Sequence, residues 1–407
     1  MASKPTGTGS TLITGREVVA PDFLTRARSV SRQVRDRAEA TQELGTMPPD
    51  IVASLSAHDL FWMLVPTELG GGGADLLAAM EVIEELSHAD GSTGWTFMAN
   101  STNTAIASAF CGDAAVEAMF GGKDRAITAG MFGPGGNAVE VEGGYRGGGK
   151  FAFGSGCGHA SWVCGGLFVL NDDGTPRQLE NGTPEVRVCF VPRAQADLLG
   201  NWDVIGMVGT GSYDFTIPEQ FIATDFTIER TSVTPLRGGP IFQLGAAAFA
   251  CAGHAAVALG LMKQALGEIA VIASGKKRPM YPSVVADHPT FLHEFSLQEA
   301  AYRGCRDYLF SVFGDAQRTA AAGKDLTTEQ RARFRQATSW AHGVAADVVR
   351  RCHMWAGSET VRTTSRLGRC LRDMYVATQH VFVDPVTLVD AGPAILESWL
   401  DARGEGR

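Results

Sequence analysis

The sequence has no Cys-x-x-Cys pair, no Gly-x-Gly-x-x-Gly that follows a strand and opens a helix, and no Lys-Ser/Thr behind the run Gly70–Gly73. Each absence closes a class. Its eight cysteines (111, 157, 164, 189, 251, 305, 352, 370) are scattered, so neither a zinc site nor a disulfide framework is suggested, and they read as buried thiols of a reducing cytoplasm. No metal is expected. Without the dinucleotide fingerprint a nicotinamide-binding fold is disfavoured, and Gly70–Gly73, lacking the strand and lysine of a phosphate loop, reads as a turn between helices. Charged residues make up only 19% of the chain, with a net charge of -9, so nothing draws it to phosphate backbones or anionic lipid. Nucleic acid is not an expected partner. No run approaches the roughly 18 apolar residues of a membrane span, and Met1–Gly7 has no apolar segment behind its lysine. The expected location is the cytoplasm, with no membrane partner.

At 407 residues the chain is long enough for two or three domains. Residues 1–19 are small, polar and Gly-rich and read as a disordered arm. From Asp22 apolar residues recur at helical spacing, Pro48-Pro49-Asp50 starts a second helix, and longer helices fit Leu76 to Ser87 and Gly94 to Phe110. Residues 20–122 therefore read as an α-helical domain. Short β-rich pieces separated by Gly, Pro, Asn and Asp turns then define a β-domain, a barrel or sandwich, over 123–235. Helical periodicity returns at about 241–274, 287–322, 327–356 and 366–397, which gives a C-terminal four-helix bundle over 236–407.

Four motifs stand out on this frame. Val65-Pro66-Thr67-Glu68-Leu69-Gly70-Gly71 lies early, Gly149-Lys150-Phe151-Ala152-Phe153-Gly154-Ser155-Gly156 lies in the middle, and Gly206-Met207-Val208-Gly209-Thr210-Gly211-Ser212 follows it. Near the end, Arg369 and Arg372-Asp373 precede His380 by about two helical turns. In this order they resemble the acyl-CoA dehydrogenase superfamily, and specifically its two-component flavin monooxygenase branch, over roughly residues 20 to 395. The fold that the resemblance implies is mostly α with a β insert: an N-terminal α domain, a middle β-domain and a C-terminal four-helix bundle.

The resemblance also implies a chemistry. The chain would be an oxygenase component that takes reduced FMN or FAD from a separate flavin reductase, forms a C4a-hydroperoxide with O2, and hydroxylates or N-oxygenates a small organic substrate. His380 would lie near the carbon where oxygen adds, and Ser155 would steady the flavin N5 edge as a donor. Thr210, Gly211 and Ser212, in a turn whose amides favour anions, would hold the flavin together with Met131 and Phe132. Arg278, otherwise part of a solvated basic loop, would reach the flavin phosphates across a subunit boundary of a homotetramer, since a guanidinium suits phosphate. Arg369, Arg372 and Asp373 would buttress the bundle through ion pairs, and His159 reads as a packing histidine. Trp95 and Asn103 would line the substrate pocket.

Two departures matter. The carboxylate that oxidises acyl-CoA esters is missing: Gln379-His380-Val381 stands at its C-terminal position and Leu244 to Leu259 holds no Asp or Glu. Where phenol-hydroxylating relatives carry a basic histidine, this chain has Asn103, which leaves phenols, acidic polyketide-type aromatics and amines open as substrates. A flavin dehydrogenase or oxidase on a non-acyl-CoA substrate and a flavin-free binding scaffold are the alternatives.

Overall fold

The computed structural model describes residues 22–404, so the arm expected over 1–19 lies outside the described residues. Helix α1 (Phe23–Leu44) starts at Asp22, whose carboxylate accepts from the Thr25 N–H at 2.9 Å, and stops where Gly45 turns left-handed. Helix α2 (Pro49–Ala57) opens on proline, which needs no N–H there. Helices α3 (Leu76–Ala89) and α4 (Gly91–Phe110) are separated by the single extended residue Asp90. A short α5 (Asp113–Phe120), unsignalled by any strong periodicity, closes this part.

Seven strands follow and form one sheet: β1 (Thr128–Val141), β2 (Gly144–Gly154), β3 (Trp162–Leu170), β4 (Val186–Pro192), β5 (Asp197–Leu198), β6 (Tyr213–Ala223) and β7 (Thr227–Glu229), in the order β5-β6-β2-β1-β3-β4-β7. Only β1 and β3 run parallel, and their register breaks at Met131/Pro134 and Pro134/Gly136. The breaks bend β1 where it passes α4.

Four long stretches complete the chain: α6 (Gly245–Gly275), α7 (Pro289–Ala321), α8 (Thr328–Ala356) and the pair α9 (Arg366–Ala377) and α10 (Val386–Asp401). Helix α8 carries a capping box in which Thr327 and Gln330 satisfy each other's amides. Two expectations need correction. The helix expected over 366–397 is broken at 378–385, because Pro385 forces Asp384 out of helical geometry. The break places His380 in a loop. The stretch Pro240–Gly275 is, contrary to the expectation, long and apolar enough to cross a membrane. Of its most apolar window 83% is buried, however, against α3, α4 and α8, which is why it is apolar all round.

Candidate active site

The site is assembled where α4, the ends of β2 and β6 and the break before α10 converge. Asp90 Oδ2 accepts from the Thr93 N–H at 2.9 Å and the Thr93 hydroxyl at 2.8 Å, a cap that fixes the first turn of α4 and with it Trp95. The indole Nε1–H of Trp95 donates to Ser155 Oγ at 3.1 Å. Ser155 leaves the end of β2 in a tight turn. Its neighbour Gly156 has φ +73, and a Cβ there would collide with the Asn100 amide. Asn100 itself clasps the turn: its Nδ2 donates to Ser155 O at 3.2 Å and to Thr128 O at 3.3 Å, and its Oδ1 accepts from His159 Nε2 at 2.9 Å.

Hydrogen-bond direction follows from counting protons. Thr210 donates to the Met207 carbonyl at 2.8 Å, so in its 2.7 Å contact with Ser212 it must accept. Ser212 has then spent its proton, and the 2.7 Å contact between Ser212 and Ser155 has Ser155 as donor. A single chain of donation therefore runs from Trp95 through Ser155, Ser212 and Thr210 to the Met207 carbonyl. Ser155 is left with an acceptor lone pair and no free proton. This corrects the donor role expected of it.

The turn that carries Thr210 and Ser212 is held from behind. Met207 has φ +53, and its N–H donates to Asp373 Oδ1 at 2.6 Å. Asp373 is 1% exposed; burial, reinforced by the Asp90 carboxylate, pushes its carboxyl up to about 7. Arg369 reaches Asp90 only at 3.9 Å. Asp373 thus acts mainly on the Gly206–Ser212 turn, where ion pairing within the bundle was expected.

His380 faces Trp95 edge-on with ring centroids 5.6 Å apart and stacks on His254 at 3.9 Å. Its Nδ1 accepts from the Phe382 N–H at 3.3 Å, which leaves the ring proton on Nε2. Burial, and then the charge of His342, hold it down from the ordinary 6.5 to about 4, so it is uncharged at pH 7. A cavity of about 880 Å³ opens beside it, lined in part by His342, Thr378, Gln379 and Trp340.

Met131 and Phe132 lie half-buried at the register break of β1. Asn103 sits opposite that strand, with Nδ2 3.5 Å from the Gly130 carbonyl, too long to engage the amide fully. Gly211, at φ +51, joins the two hydroxyl residues. Arg278 is not brought to this cluster: it donates to the Trp355 carbonyl at 2.8 Å and lies over the rings of Trp355 and Tyr281. From His254 to the end of α6 is roughly 30 Å at helical rise, so Arg278 cannot reach the same site within one chain. The amides of Gly72 and Gly73 donate to Trp62 and Val65 carbonyls, which confirms the turn and leaves no phosphate nest there. Asn100, His254 and His342 were missed by sequence reasoning. A lone histidine inside the Ala- and Gly-rich stretch 248–260 was the one available signal.

Residues 23–118 match the model of the acyl-CoA dehydrogenase N-terminal domain and residues 252–385 that of the acyl-CoA dehydrogenase C-terminal domain. The chain is 30% identical to indole-3-acetate monooxygenase of Pseudomonas putida over 88% of its own length and 90% of that protein. It is 25% identical to the flavin-dependent monooxygenase oxygenase subunit HsaA of Mycobacterium tuberculosis over 87% of its length and 89% of that protein. The crystal structure of HsaA from M. tuberculosis superposes with a TM-score of 0.83 at 23% identity, covering 95% of this chain and 97% of that one. XiaF from Streptomyces, solved with FADH2 and glycerol, gives 0.84 at 22% identity over 92% and 94%. The chain belongs to the acyl-CoA dehydrogenase superfamily. Within it, this is a flavin-dependent monooxygenase of the kind that serves as an oxygenase component.

Proposed function

We propose that this chain receives reduced FMN or FAD from a separate flavin reductase and inserts one oxygen atom from O2 into an electron-rich aromatic ring of the indole type. The residues fit a flavin: an uncharged polar rim (Ser155, Thr210, Ser212), the half-buried Met131 and Phe132 on β1, and the neutral His380, which lines the cavity. Bound reduced flavin supplies the electrons that activate O2.

The observation that carries the reading is the spent proton of Ser155. An acceptor without a free proton suits the N5–H of reduced flavin and opposes the bare N5 of oxidised flavin. Ser155, with Ser212 and Thr210 behind it, binds and orients that edge. Trp95 holds Ser155 from the other side and walls the substrate region. His380 offers its Nε2–H near the reacting oxygen without carrying a charge. Arg278 completes the phosphate end of the site in a neighbouring copy of a homotetramer, which is consistent with its distance from His254. The eight buried, unpaired thiols suit a reducing cytoplasm.

The substrate class turns on the position where a base is expected. Asn103 takes up no proton at neutral pH, and no carboxylate hydrogen-bonds to Ser155, His254 or His380 among the described residues. A protonated amine must lose a proton before it can attack oxygen and a phenol attacks far faster as the phenolate, whereas an indole ring has no such ionised form to call on and reacts as it stands. The relatives from P. putida and Acinetobacter baumannii, 30% and 28% identical, bear the name indole-3-acetate monooxygenase. Supplying photoreduced FMN or FAD in air to the purified chain with indole, indole-3-acetate, phenol or a primary amine decides between them. Oxygenation of the indoles first is expected. Turnover of phenol alone would overturn the substrate assignment, and anaerobic bleaching of bound oxidised flavin by any of these compounds would favour the dehydrogenase or oxidase alternative.

A further inference from the structure

Two buried histidines beside His380 belong to none of the motifs. His254, on α6, is 4% exposed; its ring stacks on His380 at 3.9 Å between centroids with the planes tilted by 35°, and the Trp95 ring meets its edge at 4.7 Å. Its Nδ1 is buried with no hydrogen-bond partner. His342, on α8, is 1% exposed and donates Nδ1–H to the Thr338 carbonyl at 2.9 Å. Its Nε2 is therefore unprotonated; it is buried, without a partner, and His342 lines the same cavity as His380.

His254 and His380, in ring contact, and His342, which lines the same cavity as His380, cannot charge independently. Each must give up water to become a cation, and a first cation repels a second across a poorly screened interior. Burial lowers all three; His342 opposes charge on both His380 and His254, and His380 opposes it on His254. No free countercharge offsets this. On the cavity side Asp347 is taken by Arg350 at 2.6 Å and Arg351 at 3.2 Å, and Asp384 accepts from the Val386 N–H. Arg335 on α8 faces Asp390 at 3.8 Å, and Asp373 on α9 is turned to Met207.

We propose that His254, His380 and His342 form one unit that holds at most a single proton, that this proton resides on His342 Nε2 at the cavity, and that His254 and His342 thereby keep His380 uncharged with its hydrogen on Nε2. The proton on His342 comes from cavity water and returns to it, so His380 neither gains nor loses one. This rests on the reading of His380 as the group nearest the reacting oxygen, and it deepens that reading: a cationic imidazole there would be a proton source that speeds the loss of hydrogen peroxide, whereas a neutral one offers a hydrogen bond alone. His254 and His342 are positioning residues.

The test uses the flavin-free protein, so that it stands whether or not the oxygenase reading does. With ring-15N histidine, the protonation of His380 is followed by NMR from pH 4 to 8 in the parent, in His342→Gln and in His254→Phe, which keeps the aromatic stack. His380 is expected to take up its proton at a higher pH in both variants, by on the order of one pH unit. With photoreduced flavin added, both variants are expected to release more hydrogen peroxide per flavin at pH 6 than at pH 8. An unchanged His380 midpoint in a folded His342→Gln protein overturns the proposal and leaves three independent packing groups. A shifted midpoint with unchanged peroxide yield keeps the unit and overturns its link to the reaction.

Discussion

Replacing Asp373 by asparagine tests how the C-terminal Arg-Asp signature reaches the Gly206–Ser212 turn. The asparagine keeps an oxygen for the Met207 N–H and removes the ionisation. In the folded chain the Asp373 carboxyl is raised from 3.8 to about 7, so between those values the folded state binds the proton more tightly than the unfolded one. Its contribution is fully present below about pH 4 and is lost as pH rises through 7; each pKa unit carries about 1.4 kcal/mol, and between pH 5 and 8 the loss is roughly 3 kcal/mol. Four histidines, the buried His342 and the partly buried His88, His159 and His380, run the opposite way: each is lowered from 6.5 to about 4, so their contribution is lost as pH falls through that window. The difference between variant and parent cancels the histidines and isolates Asp373. Urea unfolding at pH 5 and pH 8 should show Asp373→Asn gaining on the parent by roughly 3 kcal/mol at the higher pH. Parallel profiles for the two proteins would refute the reasoning and return Asp373 to an ordinary ion pair with Arg369.

Ser155→Ala should weaken reduced flavin by about tenfold, the cost of one hydrogen bond and an orphaned Trp95 N–H, while oxidised flavin loses less; titrations of both redox forms check this, and an equal loss for the two would contradict the acceptor role. His380→Ala should reduce product per reduced flavin by about tenfold, the cost of one hydrogen bond, in favour of hydrogen peroxide, measured by coupled product and peroxide assays. Asn100→Ala frees both the Ser155 turn and β1 at Thr128, so flavin affinity should fall while Trp95→Phe, which keeps the turn, loses less; flavin-dependent rises in melting temperature compare them.

The helix starts were legible because Asp22, Pro49 and Thr327 act locally on the first turn, although the capping bonds of Asp22 and Thr327 were not themselves foreseen. Pro385, equally local, was readable too, but the apolar period running through it concealed the break. Ser155, Thr210, Ser212, Trp95 and His380 could be named from the family resemblance that their motifs carry, and the fold brings them together. Their hydrogen-bond directions could not, since the Ser155 proton is assigned by a carbonyl more than fifty residues away, at Met207. His254 and His342 were hidden for a related reason: the contact of His254 with His380, and the cavity that His342 and His380 share, arise only when α6, α8 and the broken helix meet, and a histidine in a helix has no local mark of that.

The central claim is that one atom of O2 reaches an aromatic substrate through flavin delivered to this chain already reduced. Mixing the purified chain with chemically reduced flavin, indole and 18O2, with no reductase or nicotinamide present, tests it most directly by mass spectrometry. One 18O per product molecule is the predicted result. Unlabelled product, or full conversion of 18O2 to hydrogen peroxide with FMN and with FAD across indole, phenol and amine substrates, would contradict it.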